Sequence, residues 1–252
     1  MSKKPHHLAI IMDGNRRWAR QRGLSTVLGH KKGAEILKEV ARHANDEGVR
    51  WLTAFAFSFE NWSRPKVEID GLMGLLRNFL ENDVGELHKQ NVKLRVIGSR
   101  SRFSPKLVEL IEWAERYTSG NTGLNLTLAL DYGGRQEITE ALKVLVNEVE
   151  NGILTVDDIK EDVVKSRMSS VALPDIDLLV RTGGEQRISN FMLWDISYAE
   201  LHFSPVLWPD FTQQDFQHAI KDFMGRDRRF GGDTVVDMQD RVMSLADQRR
   251  SS

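Results

Sequence analysis

Short apolar runs closed by turn residues alternate along this chain with longer stretches whose apolar positions recur every three or four residues. The runs predict buried strands and the longer stretches predict amphipathic helices. Leu8 to Ile11 reads as the first strand. Gly33 to Asn45 reads as a helix with Ile36, Leu37, Val40, Ala41 and Ala44 on one side, stopped by Gly48. Trp51 to Phe57 reads as a second strand. Ile69 to His88 reads as one helix whose stripe includes Leu72, Met73, Leu76, Phe79, Leu80, Val84 and Leu87. Val92 to Ile97 is a third strand, and Pro105 to Tyr117 a helix whose first turn suits the proline. Leu124 to Leu130 is a fourth strand, Ile138 to Val149 a helix, and Thr155 is placed to cap another helix through about Met168. Ile176 to Val180 is a fifth strand, Leu201 to Phe203 a short sixth near an edge, and Asp215 to Met224 a last amphipathic helix. This alternation predicts an α/β fold with a mainly parallel six-stranded central sheet and helices on both faces.

A length of 252 residues fits one domain over residues 1–252, with a polar, loose tail from about residue 240. Acidic and basic residues nearly cancel, 36 against 35, which argues against a general nucleic-acid binder. The chain has no cysteine, so disulfides and thiolate metal sites are excluded. The amino terminus lacks the apolar core of a signal peptide, and no apolar run is long enough to span a bilayer. Cytoplasmic residence is the expectation.

Three arginine-containing loops follow predicted strands: Met12 to Trp18, Ser58 to Pro65, and Arg181 to Asn190. Ligands of open parallel sheets bind beyond the carboxyl ends of the strands, so these separated loops are expected to meet on one polyanionic ligand. In the first, Gly14 permits a close backbone approach, Asp13 can hold a hard cation, and Arg16 and Arg17 offer forked donors to phosphate. Taken alone, it is equally a turn carrying solvated arginines. Gly29-His30 is placed just before the first predicted helix, where an amino terminus favours anions. Taken alone, that histidine reads better as an ordinary surface residue. In the second loop Ser58 and Asn61 are short polar groups, Arg64 is a cation, and Trp62 among polar neighbours reads as a ligand wall. In the third, Arg181, Arg187 and Ser189 flank Gly183-Gly184, an arrangement suited to a diphosphate. Glu200 is a candidate second metal ligand, against its more ordinary reading as a solvated carboxylate. Neither a G-x-x-x-x-G-K-[ST] nor a G-x-G-x-x-G motif is present, and no G-x-S-x-G elbow occurs, which weakens nucleotide and serine-hydrolase readings.

Together the segments His7 to Trp18, Gly29-His30, Phe55 to Pro65, Tyr132 to Arg135, Arg181 to Glu200 and Arg226 to Gly232 resemble the cis-prenyltransferases of the bacterial undecaprenyl diphosphate synthase type. The resemblance implies extension of farnesyl diphosphate with isopentenyl diphosphate in Z geometry, giving a long polyprenyl diphosphate that serves as a cell-wall lipid carrier. It implies magnesium bound by Asp13 and Glu200. Gly14, Asn15, Arg16, Arg17, Trp18 and His30 would hold the allylic diphosphate, and Ser58 and Asn61 would assist proton removal. Trp62, Arg64, Arg181, Arg187 and Ser189 would position isopentenyl diphosphate, with Phe59, Glu60 and Ile188 beside them. It also implies a cytoplasmic homodimer that passes its product to the inner face of the membrane, with Arg226 to Gly232 near the dimer interface. Ala54, Ala56 and Ser58 would leave room for the growing chain opposite Leu72, Leu76, Phe79 and Leu80, with Leu124 near the floor; ordinary helix-on-sheet packing gives the same pattern.

The sequence also departs from that resemblance. Thr26 stands where many relatives carry arginine, Gln186 where some carry histidine, Asp131 where asparagine is common, and Arg16 where several bacterial forms carry glycine, though arginine also occurs in the wider family. Three further readings are a catalytically silent binding subunit on the same fold, a cis-prenyltransferase of different product length, and a phosphate-ester hydrolase. Asp13 and the arginines argue against the silent subunit, and no nucleophile–base pair supports the hydrolase.

Overall fold

The computed structural model describes residues 4–226. Six strands form one wholly parallel sheet in the order β3-β4-β2-β1-β5-β6. They are β1 (His7–Ile11), β2 (Trp51–Ser58), β3 (Lys93–Ile97), β4 (Asn125–Tyr132), β5 (Leu178–Arg181) and β6 (Glu200–Phe203). The central β1 is buried along its whole length. Its alternate residues enter two apolar cores: Leu8 and Ile10 face one, Ala9 and Ile11 the other. That two-sided burial explains why its sequence is a run of apolar residues rather than an alternation.

The helices are α1 (Asn15–Gln21), α2 (Thr26–Asp46), α3 (Lys66–Asn82), α4 (Val84–Lys89), α5 (Pro105–Tyr117), α6 (Gly134–Glu150), α7 (Glu161–Lys165) and α8 (Gln213–Met224). The α5 bounds agree with the sequence reading, and its cap is visible: Ser104 Oγ accepts from the Leu107 amide at 3.3 Å.

Several elements differ from expectation. α1 was expected as loop, because it buries only Ala19 and shows no apolar stripe. α2 begins at Thr26 rather than Gly33, so Gly29 and His30 lie inside the helix and not before it. Its first turns bury Gly29 and Gly33 against α1, and glycines leave no apolar signal. The stretch expected as one helix from Ile69 to His88 is interrupted at Asp83, whose carboxylate takes Lys38 at 2.9 Å. The helix expected after Thr155 is a short 3₁₀ turn (Val156–Asp158) followed by α7. Asp158 closes that turn by accepting from the Thr155 amide at 2.8 Å, and Ile159 then runs extended. The expected tail from about residue 240, and all of Arg226 to Gly232 beyond Arg226, lie outside the described residues.

Two local features aim the chain at the carboxyl end of the sheet. The β2–β4 register shifts between Phe55 and Ser58, an irregularity that redirects the end of β2. α1 packs directly on α2, with Gly29 facing the Asn15 carbonyl. A Cβ at Gly29 would stand 2.3 Å from that carbonyl oxygen and 3.0 Å from Ala19 Cβ, so the helices would have to separate. Gly29→Ala is therefore expected to lower stability by about 1–3 kcal/mol, the usual cost of overpacking; urea unfolding checks it.

Candidate active site

Three cavities meet beyond the carboxyl ends of β1, β2 and β5, and all three are lined by Met12, Asn15 and His30. The first, about 790 Å³, is bounded by Asp13, Arg16, Arg17, Arg20, Thr26 and Arg64. The second, about 550 Å³, adds Ser58, Glu60, Asn61, Arg181, Ser189 and Asn190 to Asp13 and Arg64. The third, about 110 Å³, is apolar and lies among Ala56, Phe57, Leu72, Leu76, Phe79 and Leu128. Two polar chambers thus share one wall and adjoin one greasy space.

The shared wall is built on paired charges. Arg181 is almost fully buried, and its Nη2 donates to Asp13 Oδ2 at 2.9 Å while Nη1 donates to Ser189 Oγ at 2.7 Å and to the Arg187 carbonyl at 2.6 Å. Arg17 Nη2 stands 3.4 Å from the other Asp13 oxygen. The Asp13 backbone carbonyl is fixed by Thr182 Oγ1 at 2.7 Å and the Trp208 amide at 3.0 Å. On the opposite side Glu68, only 6% exposed, gathers three groups: Arg64 Nη1 at 2.9 Å, His30 Nε2 at 3.6 Å and Arg16 Nε at 3.7 Å. The 3.6 Å separation is too long for a good hydrogen bond. His30 Nε2 is accordingly left buried without a partner, as are Arg181 Nε and Asn15 Oδ1. Of these, the Arg181 Nε–H is a donor and His30 Nε2 is one in the tautomer protonated there, groups an anionic ligand would satisfy, whereas Asn15 Oδ1 is an acceptor.

The second loop presents a different edge. Phe59–Ser63 is a 3₁₀ turn, and the Ser58 amide donates to Asn61 Oδ1 at 3.1 Å. Asn61 thereby commits its carbonyl oxygen to the backbone and can offer its NH₂ group to a ligand. Asn190 Nδ2 ties this turn to the third loop through Glu60 Oε1 at 2.9 Å.

Of the residues expected at the site, Asp13, Gly14, Asn15, Arg16, Arg17, His30, Ser58, Glu60, Asn61, Arg64, Arg181 and Ser189 line one or both polar cavities. Five others point elsewhere. Trp18 donates its Nε1–H to Asp210 at 2.6 Å, under the Arg22 guanidinium. Trp62 is not a ligand wall: it packs edge-on to Phe57 at 5.1 Å between ring centroids, and against Phe103 at 5.9 Å. Phe59 lies in a separate cavity behind the turn. Ile188 packs on the second core. The Arg187 side chain, 60% exposed, pairs with Glu185 at 2.5 Å.

Glu200 stands apart from Asp13 within one chain. It starts the edge strand β6, in register with Leu178 and hence with Leu8. Ile11 at the end of β1 already lies three residues, roughly 10 Å, further along the sheet. The Glu200 carboxylate takes Arg226 at 2.8 Å and does not join Asp13 within one chain. Among the described residues no group of three or more His, Cys, Asp or Glu is placed to hold a metal. Asp13 remains as one partly exposed carboxylate between two guanidinium groups. That donor set suits magnesium, which accepts one or two carboxylates when substrate phosphates and waters complete its shell.

Glu68 is the residue of this charge cluster that the sequence reading missed. Its signal was present, since it follows Arg64 by four residues, but a single such pair is common on solvated surfaces. Arg20 was missed because it lies just beyond the first loop, and Asn190, the last residue of the third loop, was given no role there.

Burial foremost, and then the Arg64 charge, push the His30 pKa from 6.5 down to about 4, with Glu68 pulling the other way. The ring is neutral at physiological pH. Because the folded value lies below the unfolded one, the stability it contributes is fully present above pH 6.5 and is lost as pH falls towards 4. Across that window unfolding free energy should fall by up to about 3 kcal/mol on account of this ring. His7, held between the Pro174 carbonyl at 2.7 Å and Thr53 Oγ1 at 2.8 Å, is depressed to about 4 by burial as well. Histidine-resolved NMR titration separates the two, and His30→Gln should flatten only its own part of the decline.

The Prenyltransf family model, which describes undecaprenyl diphosphate synthases, matches residues 11–231. An isoprenyl transferase of Agrobacterium fabrum is 49% identical over 230 residues, covering 91% of this chain and 93% of the relative. A farnesyl-diphosphate-specific ditrans,polycis-undecaprenyl-diphosphate synthase of Escherichia coli K12 is 48% identical over 226 residues, covering 90% of this chain and 89% of the relative. The crystal structure of lavandulyl diphosphate synthase from Lavandula x intermedia, in complex with dimethylallyl diphosphate, matches with a TM-score of 0.88 at 39% identity, over 91% of this chain and 99% of that one.

Proposed function

The chain belongs to the undecaprenyl diphosphate synthase family of prenyltransferases, and from that premise we propose that it condenses isopentenyl diphosphate onto farnesyl diphosphate with Z geometry. The product is a long polyprenyl diphosphate of undecaprenyl type, a lipid carrier for cell-wall synthesis. One observation carries this reading. Two polar cavities share Asp13, Asn15, His30 and Arg64, and both adjoin an apolar cavity that shares Asn15 and His30. Such a site can hold two anionic heads side by side with one hydrocarbon tail.

The cavity with Arg16, Arg17 and Arg20 takes the allylic diphosphate, and the one with Arg181, Ser189, Ser58 and Asn61 takes isopentenyl diphosphate. Arg64, common to both, binds between them. Arriving phosphate oxygens compete with Glu68 and Asp13 for guanidinium groups that are already in place. Fixed donors of this kind stabilise charge without reorganising as it develops. Asp13 would hold a magnesium ion together with diphosphate oxygens, and that ion supplies further neutralisation of the departing group.

Breaking the allylic C–O bond leaves an electron-poor carbon and a free diphosphate. The double bond of isopentenyl diphosphate forms the new C–C bond, and the resulting cation loses a proton. Asn61 is a poor acceptor for that proton, because its oxygen already takes the Ser58 amide. In this reading Asn61 and Ser58 orient the second diphosphate, and a diphosphate oxygen receives the proton.

The product extends between β2 and α3. Ala56, Leu72, Leu76, Phe79 and Leu128 form its wall, whereas Leu80 and Leu124 are closed core residues and offer no space. Among the described residues no helix is long and apolar enough to cross a membrane. The enzyme is read as a cytoplasmic homodimer whose lipid product passes to the inner membrane face.

Two experiments test this reading. Purified Asp13→Ala should incorporate labelled isopentenyl diphosphate at least about a hundredfold more slowly, the scale of one lost electrostatic contact in a preorganised site. Its thermal unfolding should stay cooperative, and full activity would remove the proposed diphosphate site. Ala56→Leu should narrow the apolar cavity and shift the products to shorter chains by mass spectrometry; an unchanged distribution would place the growing chain elsewhere.

A further inference from the structure

Arg102 borders the site but touches neither polar cavity. It stands in the loop from β3 to α5, and its Nε donates to Asp131 Oδ2 at 2.9 Å while Nη2 engages Oδ1. The Asp131 side chain is fully buried, so both carboxylate oxygens are spent on this one guanidinium. The flat face of the same group covers two rings, with Cζ 4.2 Å from the Phe59 centroid and 5.0 Å from that of Trp62.

Those rings are the two apolar members of the turn that edges the second cavity. Phe59 follows Ser58 directly, and Trp62 follows Asn61 directly. Trp62 is also braced by Phe57 and Phe103, so three side chains confine it. The anchor beneath is equally fixed. Asp131 sits in the left-handed backbone region at φ 47°, a conformation that persists where surroundings determine it. Gly98 approaches so closely that a Cβ there would lie 2.1 Å from the Leu130 carbonyl, and the Ser99 amide donates to the Asp131 carbonyl at 3.3 Å. The β3–α5 loop is thereby held against the end of β4.

We propose that Arg102 is a positioning residue for the second substrate: tied to Asp131 in one plane, its guanidinium fixes Phe59 and Trp62, and through them the Ser58–Asn61 edge that receives isopentenyl diphosphate. The proposal rests on the assignment of that edge given above. It requires a guanidinium and not simply a cation, since only a fork can grip both oxygens of Asp131 while its face stacks on two rings.

The test combines two readouts. Protein labelled with 5-fluorotryptophan has six tryptophans, and Trp62→Phe assigns the Trp62 line in its fluorine NMR spectrum. Arg102→Lys and Arg102→Met should both shift the Trp62 line and leave that of Trp208 unmoved. Both should raise KM for isopentenyl diphosphate about tenfold, the scale of a desolvated cation–π contact, with KM for farnesyl diphosphate changed by less than about twofold. Asp131→Leu should reproduce the pattern, and the double variant should be no worse than either single. An unmoved Trp62 line in either folded variant, or an equal rise in both KM values, overturns the proposal; Arg102→Lys keeps the charge and supplies the decisive arm if Arg102→Met does not fold. The fluorine spectra need no turnover, so wild-type protein that incorporates no isopentenyl unit would count against the functional reading and not against the Arg102 packing.

Discussion

The site depends on holding several cations close together before any ligand arrives. Arg16, Arg17, Arg64 and Arg181 cannot share one pocket edge unless something offsets their repulsion. Asp13 offsets two of them and Glu68 the other two, with His30 kept neutral by its burial. Each carboxylate is itself constrained. Asp13 is fixed through its own backbone carbonyl, and Glu68 is locked into the first turn of α3. Four guanidinium groups against two carboxylates leave the empty cradle with two positive charges in excess, a surplus that the oxygens of an arriving diphosphate would answer. Preorganisation of this kind also explains why no single loop suffices. Asp13 comes from β1, Arg64 and Glu68 from the end of β2 onward, and Arg181 from β5, strands that are neighbours only in the folded sheet.

The strands were legible because a parallel sheet buries both faces of its inner strands, which became largely apolar runs with turn residues at their ends, while the edge strands β3 and β6 keep polar residues between apolar ones. All six appear where those runs lie, including the short edge strand β6. Helices were legible only where burial left a stripe. α5 kept its bounds because a serine cap and a proline mark its start. α1 was invisible because a seven-residue helix that buries one alanine has no period to detect. The first two turns of α2 were invisible because their contacts use Gly29 and Gly33. The break at Asp83 escaped notice because the apolar stripe continues across it from α3 into α4.

At the site, which loops converge could be read from the sequence, but the direction of each side chain could not. Strand ends in a parallel sheet are co-located by topology, so Asp13, Ser58 and Arg181 had to approach one another. Whether a neighbouring ring faces ligand or core depends on what waits behind it. Trp62 met Phe103 as well as nearby Phe57, and Trp18 met Asp210; Phe103 and Asp210 are distant in sequence, and no local pattern announces them. Glu200 illustrates the same limit. Its strand was found, yet it stands at the amino end of that strand, and the parallel register sets it apart from Asp13 within one chain.

The two halves of the pocket place opposite demands on one wall. The diphosphate side needs side chains held rigidly, since stabilisation of a departing anion is lost if the donors must first reorient. The hydrocarbon side must admit a chain that lengthens with each addition. The fold answers by assigning the tasks to different elements. The donors stand on strand ends and on the tightly packed α1–α2 pair, where Gly29 meets the Asn15 backbone and Gly33 leaves room for the Asn15 and Trp208 side chains. The apolar wall is completed by α3, whose Leu72, Met73 and Leu76 are only partly buried and pack on the core from its rim. A helix with so small a share of buried residues can shift outward at lower cost than any strand of the sheet, because fewer close contacts are lost. Glu68 stands at the amino-terminal end of that same helix, so the element that must yield to the tail is also tied to the head-group cradle.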